Sequence, residues 1–329
     1  MCESSADNRA AVAAALRQAR RLVVTTHVRP DGDAIGSMTA LHLAARSAGV
    51  VSRMVLTDQA PQRYDFLLAG RDPAGCGQFA EFARDADLVV IVDTCAVQQL
   101  ESIAAHLPAL RGKIAVIDHH ATADDIADVV WRDESAGAAA VMVTELMDEL
   151  GWAMSAEVAE AVAAGVCAET GWLRYANTDS RVLATVARCV EAGVRPDELY
   201  ARLYQRDRPE RLRLTAAALA SLELHLAGQV AVMTLTREDF ERTGAADNET
   251  AELVNEPLRI ESVDVSALLV AQADGRTRVS LRSRKLVDVA AVAEEFGGGG
   301  HPRAAGFRTD AVPAEAAKRL IDACRAALE

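Results

Sequence analysis

Residues Lys113 to His120 read KIAVIDHH, an apolar run from Ile114 to Ile117 that leads straight into Asp118, His119 and His120. A short continuous apolar stretch reads as a buried strand. In open α/β sheets ligands bind beyond the carboxyl ends of the strands. One carboxylate and two imidazoles at such an end therefore put ionisable chemistry where this kind of fold holds its ligand.

The same pattern recurs on the N-terminal side. Leu22 to Thr26 is a β-prone run followed at once by His27-Val-Arg-Pro-Asp31-Gly-Asp33, where Pro30 and Gly32 mark a loop. The next stretch, Ala34 to Ala48, has helical composition and stops near Gly49, and Val50 to Leu56 reads as a second strand. Asp87 to Asp93 is a third apolar run closed by a carboxylate. With helices expected at Arg9 to Arg20, Ser135 to Leu150 and Ala156 to Ala168, the last followed by Glu169-Thr170-Gly171, the order of elements predicts an α/β fold. Its first domain is a doubly wound parallel sheet that gathers the charged strand ends along one edge.

From Arg181 to about Leu226 the chain is helix-rich and charged, with Pro196 and Pro209 near helix starts, as expected of a connector. Shorter strands follow at Val230 to Leu235, Val263 to Val270 and Thr277 to Leu281, then a short helix, a glycine run and a final helix from Ala314 to Leu328. The expected organisation is a first domain over 1–195 that carries the charged strand ends, a helical connector over 196–226 and a smaller α+β domain over 227–329.

The composition narrows the function classes. At 329 residues and 50% hydrophobic, the chain is long enough for two cored domains. It has no apolar run of about 18 residues, and its polar start, MCESSADNR, lacks the character of a signal peptide, so a cytoplasmic protein without a membrane segment is expected. Six cysteines, at 2, 76, 95, 167, 189 and 324, show no C-x-x-C spacing and read as reduced thiols. A net charge of -13 argues against coating long nucleic acid, which requires many phosphates to be neutralised by Lys and Arg. A small anion held by a local cluster of metal and basic groups stays compatible with it.

His27, Asp31, Asp33, Asp93, His119 and Glu169 exceed the needs of one metal ion. Imidazoles mixed with many carboxylates, and no cysteine pattern, favour a hard ion such as Mn²⁺. Two ions roughly 3.5–4 Å apart are the usual apparatus for phosphate ester hydrolysis. Singly, His27 or His119 reads more readily as a structural histidine, and Asp31 or Asp33 as a helix cap; as a set they read as ligands. Farther on, Gly297 to Gly300 followed by His301 and Arg303 reads either as a phosphate clamp or as a glycine turn. Arg282 in the same domain, a planar guanidinium suited to phosphate, favours the clamp, whereas Arg284 and Lys285 read as surface charges.

Taken together, THVRPDGDAIGS (Thr26 to Ser37), IVDT (Ile91 to Thr94), IDHH (Ile117 to His120), SLRS (Ser280 to Ser283) and GGGGHPRAAG (Gly297 to Gly306) resemble the DHH phosphoesterase family, in its branch with a C-terminal DHH-associated domain. The motifs occur in the family order across nearly the whole chain, and the size most resembles the stand-alone nanoRNases. The resemblance implies a first metal on His27, Asp31 and Asp93 and a second on Asp33, Asp93 and His119, with Asp93 bridging. It implies His120 facing the scissile phosphate and Asp118 orienting a histidine. In the second domain it implies a grip on the substrate by Arg282, Ser283, His301, Arg303 and the backbone of Gly298, Gly299 and Gly300. Glu169 departs from the pattern, since the family has Asp-Thr-Gly where this chain has Glu169-Thr170-Gly171.

The implied function is two-metal hydrolysis of short oligoribonucleotides from the 3′ end, with 3′-phosphoadenosine 5′-phosphate as a companion substrate and a homodimer as assembly. Two other readings stand beside it: a phosphodiesterase of cyclic or linear dinucleotides, and a nucleotide sensor whose metal site is weakened at Glu169.

Overall fold

In the computed structural model, residues 5–328 are described, with side chains from residue 8, and the chain divides into two compact units, 1–206 and 207–329. Cys2 and Glu329 lie outside the described residues.

The first unit begins with α1 (Ser5–Gln18), β1 (Arg21–Thr25), α2 (Gly32–Ser47), β2 (Val51–Leu56), α3 (Asp65–Leu68), β3 (Ala74–Gly75) and α4 (Phe79–Asp85). Then come β4 (Leu88–Val92), β5 (Ile114–Asp118), β6 (Val129–Arg132), α5 (Ala139–Leu150), α6 (Ala156–Glu169), α7 (Ser180–Glu191) and α8 (Pro196–Tyr204). Its sheet has the order β3-β2-β1-β4-β5-β6, parallel at every pairing. Direction along the sheet reverses between β1 and β4, and such a switch point opens a crevice at the strand ends. The loops after β1 and β4, which carry His27 and Asp93, flank that crevice.

Every residue of β4 (LVVIV) and β5 (IAVID) is buried, which a parallel sheet requires because both faces are covered. Alternate side chains serve two cores. Leu22, Val24, Val90, Val92 and Ile117 pack on the side of α1, α2, α5 and α6, while Val23, Val89, Ile91, Ile114 and Val116 pack beneath Phe79, Leu100, Ile103 and Leu107. The second cover is thinner than a doubly wound fold suggests. Apart from α4 it consists of 3₁₀ turns at Val97–Leu100 and Ala104–Leu110, the latter containing Pro108.

Two stretches differ from the sequence expectation. Val129–Arg132 is a sixth strand, which a half-buried four-residue run surrounded by aspartates does not announce. Helix α5 starts at Ala139 rather than Ser135, because the Asp133 carboxylate accepts from both the Ser135 N–H and its hydroxyl and holds a turn there.

The second unit contains α9 (Pro209–Ala220), β7 (Glu223–His225), β8 (Val230–Leu235), α10 (Arg237–Thr243), β9 (Val265–Ala271), β10 (Thr277–Ser283), α11 (Val289–Glu294), β11 (Gly299–His301), β12 (Ala304–Thr309) and α12 (Pro313–Leu328). The expected connector helices thus fall in different units, α8 packing on α6 and α9 on β8. The second sheet, β11-β12-β10-β9-β8-β7, is antiparallel except where β8 meets β9. In β10 the burial alternates, so Thr277, Val279, Leu281 and Ser283 point inward and Arg278, Ser280 and Arg282 share the other face.

Candidate metal centre

The centre is built from strand ends upward. Immediately after β1, His27 Nδ1 lies 2.9 Å from the Val28 carbonyl, which fixes Nδ1 as the N–H and turns Nε2 toward Asp93 Oδ2 at 3.6 Å. After β5, His119 repeats the device, with Nδ1 at 3.1 Å from the Ala136 carbonyl and Nε2 at 3.3 Å from Asp93 Oδ1 and 3.8 Å from Asp33 Oδ2. Both imidazoles thus turn Nε2 toward the same carboxylate. Asp93 sits directly after β4 with φ +64, a left-handed backbone that L residues other than Asn and Asp rarely adopt. Such a conformation aims its side chain between the two histidines.

The aspartates of the first loop have further duties. Asp31 caps α2, its Oδ1 accepting from the N–H groups of Asp33 at 3.0 Å and Ala34 at 3.1 Å. Asp33, fully buried, caps a different helix: it accepts from Ala139 N at 2.5 Å and Ala140 N at 3.0 Å, at the start of α5, and from the Ser37 hydroxyl at 3.2 Å. The capping role weighed for one aspartate is therefore filled by both, on separate helices.

Helix packing brings these groups close. At Gly36 a Cβ would lie 2.6 Å from the Ala161 carbonyl and 2.7 Å from Gly165 N, so α2 and α6 touch backbone to backbone. A Cβ at Gly165 would lie 3.1 Å from Asp33 Oδ1, and one at Gly32 2.2 Å from the Ala168 Cβ. In the sequence Gly32 reads only as a loop marker, and Gly36 and Gly165 lie inside helical patterns, where an isolated glycine hints at close packing only weakly. Their absent side chains let the Asp31–Asp33 turn lie against the end of α6, which carries Glu169.

Charge crowding follows. Burial pushes the Asp33 carboxyl well above its usual range, and Asp93 pushes it further. Burial also lifts Glu169 to about 7, helped by Asp31 and Asp93. Burial alone would raise Asp93, but His119 and His27 outweigh it and hold the carboxyl at about 2. Conversely, burial works to lower the two histidines, and the facing carboxylates overcome it, bringing His27 to about 9 and His119 to about 10.

These residues fit divalent cations. Donor atoms of His27, Asp31 and Asp93 lie within 4.8 Å of one another, as do those of Asp93, His119 and His120, so Asp93 belongs to both groups. Buried Asp93 Oδ1 and His119 Nε2 have no hydrogen-bond partner, and such orphans are rare unless something satisfies them. Oxygen and imidazole donors without a thiolate suit a hard or borderline ion. Asp33 and Glu169 stand outside both groups, and Glu169 reaches the others electrostatically.

His120 is built differently from His119. Its Nδ1 lies 2.8 Å from Asp118 Oδ1, and its side chain keeps 43% of its surface exposed. The bond to Asp118, ahead of the opposing effect of burial, raises its pKa. With Nδ1 engaged by a fully buried carboxylate, Nε2 is the atom His120 can offer to a ligand.

In the second unit, the glycine run is only partly the cradle expected. Gly297 and Gly298 donate their N–H groups to Glu294 and Ala293 at the end of α11, so neither amide is open to an anion. A Cβ at Gly298 would lie 2.3 Å from the Gly306 carbonyl, and one at Gly300, where φ is +147, 2.5 Å from the Ala304 carbonyl. Glycine here serves close strand packing. Gly299 and Gly300 belong to β11, an edge strand with one row of amides unpaired by the sheet. Ser283 is buried, its hydroxyl donating to the Val287 carbonyl at 2.6 Å and accepting from Arg303 Nη1 at 3.2 Å. It is thus a brace rather than an open substrate contact. Arg303 also reaches the Val287 carbonyl at 2.9 Å, while His301 is exposed. Arg284, expected as a surface charge, bonds the carbonyls of Leu258, Ile260 and Glu261.

The chain is 30% identical over 305 residues to a protein of Thermus thermophilus named "Bifunctional oligoribonuclease and PAP phosphatase NrnA", a match covering 92% of this chain and 89% of that one. In structure it is similar to an exopolyphosphatase-related protein from Bacteroides fragilis, with TM-score 0.91, 23% identity and coverage of 98% and 96%. Likeness of fold extends to the exonuclease RecJ bound to manganese, with TM-score 0.53, 16% identity and coverage of 98% and 94%. Residues 21–166 match the DHH family, N-terminal domain, and residues 227–329 match the DHHA1 domain. With the strand-end histidines and aspartates gathered at one crevice and both halves accounted for, the chain belongs to the DHH family of phosphoesterases, in its branch with a DHHA1 domain.

Proposed function

We propose that this phosphoesterase hydrolyses short oligoribonucleotides to mononucleotides and removes phosphate from 3′-phosphoadenosine 5′-phosphate, the two activities named for its Thermus relative. The observation that carries this reading is the pair of donor groups sharing Asp93. His27, Asp31 and Asp93 would hold one divalent ion, and Asp93 and His119 the other, with Asp33, which lies outside the geometric group but 3.8 Å from His119 Nε2, as its third ligand and Glu169 at its margin. When bound, the ions acidify water and neutralise charge on the phosphoryl oxygens. The chain orients the phosphate. His120, held by Asp118, offers Nε2–H to a phosphoryl oxygen, a contact that strengthens as negative charge builds in the transition state. Asp93, common to both groups, would help to hold each ion.

In this proposal residues 1–195 are catalytic, the helices of 196–226 are divided between the two units, and residues 227–329 bind substrate. There Arg282 on the outer face of β10, with His301, Arg303 and the amides of Gly299 and Gly300, binds a phosphate of the substrate. Manganese is the proposed ion and the cytoplasm the proposed compartment. The free thiols of Cys76, Cys95, Cys167, Cys189 and Cys324 support a reducing environment. Among the described residues no helix is long and apolar enough to cross a membrane. Self-association as a homodimer belongs to the same proposal and is read by light scattering.

The deciding experiment incubates the protein with Mn²⁺ or Mg²⁺ and labelled di- to pentaribonucleotides, 3′-phosphoadenosine 5′-phosphate and cyclic dinucleotides. Mononucleotides and AMP should appear, chelation should stop both, and Mn²⁺ should support the higher rate. No mononucleotide release from any oligonucleotide overturns the reading.

A further inference from the structure

The loop after α6 is not used by the centre described above, yet it starts beside Glu169. Gly171, Trp172 and Leu173 are all left-handed, with φ +55, +59 and +63, and two of the three are not glycine. Consecutive residues in that region persist only where their surroundings impose them. Several contacts do so. Trp172 N donates to the Cys167 carbonyl at 2.7 Å, and the Trp172 ring meets Tyr200 edge-on at 5.0 Å. Arg174 Nε donates to the Gly171 carbonyl at 2.7 Å, and Asn177 Nδ2 to the Gly137 carbonyl at 3.0 Å.

The turn carries Tyr175 back over Gly171. A Cβ at Gly171 would lie 2.3 Å from Tyr175 Cζ, 2.5 Å from Cε2 and 2.6 Å from Cε1. Being closest to Cζ and almost equally far from the two Cε atoms, that point sits over the face of the ring and not at its edge. Backbone therefore covers one face, while the residue as a whole keeps 52% of its surface exposed. Gly171 follows Glu169 by two residues, a span of at most about 7 Å. Aromatic residues make up only 4% of this chain, and one of its four tyrosines is left exposed on a rigid support at this point.

We infer that Tyr175 is a stacking platform for the nucleobase of the nucleotide whose phosphate is held at the strand-end centre. This rests on the phosphoesterase reading and adds to it a base subsite. Stacking uses the π face that every base has, so it serves substrates of mixed sequence, with the larger purines gaining most. Support by Gly171 and the Trp172 packing means that little order has to be imposed on binding.

Two probes separate the base from the phosphate: AMP and ribose 5-phosphate, titrated calorimetrically into the Mn²⁺-loaded full chain. Tyr175→Phe should bind both within twofold of the native protein. Tyr175→Leu, which still covers Gly171 but has no aromatic face, should weaken AMP roughly 10-fold and leave ribose 5-phosphate within twofold. In turnover of a diadenylate, Tyr175→Leu should raise KM by a similar factor with kcat within twofold. Unchanged AMP affinity in Tyr175→Leu overturns the proposal, as does an equal loss for both probes. If the native protein cleaves no dinucleotide while AMP binding still depends on the ring, the base subsite stands and the proposed activity falls.

Discussion

The two sheets treat buried charge in opposite ways. At the carboxyl edge of the first, Asp93 and His119 keep atoms without hydrogen-bond partners, and burial, helped by the acids crowded there, pushes Glu169 up to about 7. In the second, Asp264 is just as buried, but its two oxygens accept from the N–H groups of Lys285, Leu286 and Val287. That loop in turn presents the Val287 carbonyl to Ser283 and Arg303. Charge whose bonds are complete is architecture. Charge left incomplete at a crevice awaits a cation or a substrate, and the two should respond differently to mutation.

The sharpest test of that contrast is Asp93→Ala. Removing the carboxylate shared by both donor groups should cut the hydrolysis rate by about 10³-fold or more while the chain still folds, because the lost side chain caps no helix and accepts from no backbone N–H. Rate and metal content measured on the same sample check it; near-native turnover would break the comparison.

Asp264→Ala should do the reverse. Leaving three backbone N–H groups without their acceptor should cost about 2–4 kcal/mol of stability, read by calorimetry as a lowered transition, with kcat per folded molecule retained. Asp264→Asn, which keeps an acceptor, should recover part of the loss.

Gly36→Ala probes how the first site is held. A methyl 2.6 Å from the Ala161 carbonyl must push α2 from α6, at about 1–3 kcal/mol. Because α2 carries the Asp31–Asp33 turn, Mn²⁺ should then raise the melting temperature less than it does in the native protein.

The last effect concerns a buried histidine with no acid beside it. Burial, with Arg46, Arg71 and Arg53 nearby, holds His42 down to about 4, while its Nδ1 meets the Ser52 hydroxyl at 2.9 Å. Between pH 6.5 and 4 the unfolded chain therefore binds a proton that the folded chain refuses. The associated stability is present above that window and lost as pH falls through it, about 3 kcal/mol at most. Site carboxylates titrate in the same range, so the readout is the difference between native protein and His42→Gln in unfolding free energy at pH 7 and pH 4.5; equal slopes would contradict it.

Much of the first sheet was readable because parallel strands covered on both faces must be continuously apolar, as β4 and β5 are. Their charged ends then stood out against them. β6 and the β11–β12 hairpin were not readable, since the one is half-buried among acids and the other is glycine-rich. The glycines at 298 and 300 looked like an anion cradle, and the fold uses them for close strand contact.

By itself, the sequence determined which strands end in ionisable residues and that the chain carries DHH-type motifs, because hydrophobic run length and motif order are local properties of the chain. Only the tertiary structure decided that Asp33 caps a helix more than a hundred residues away, that Gly36 and Gly165 let α2 and α6 touch, and that Tyr175 lies flat on Gly171. The first two depend on where a distant backbone passes and the third on a left-handed turn that surrounding packing imposes, neither of which spacing along the chain encodes.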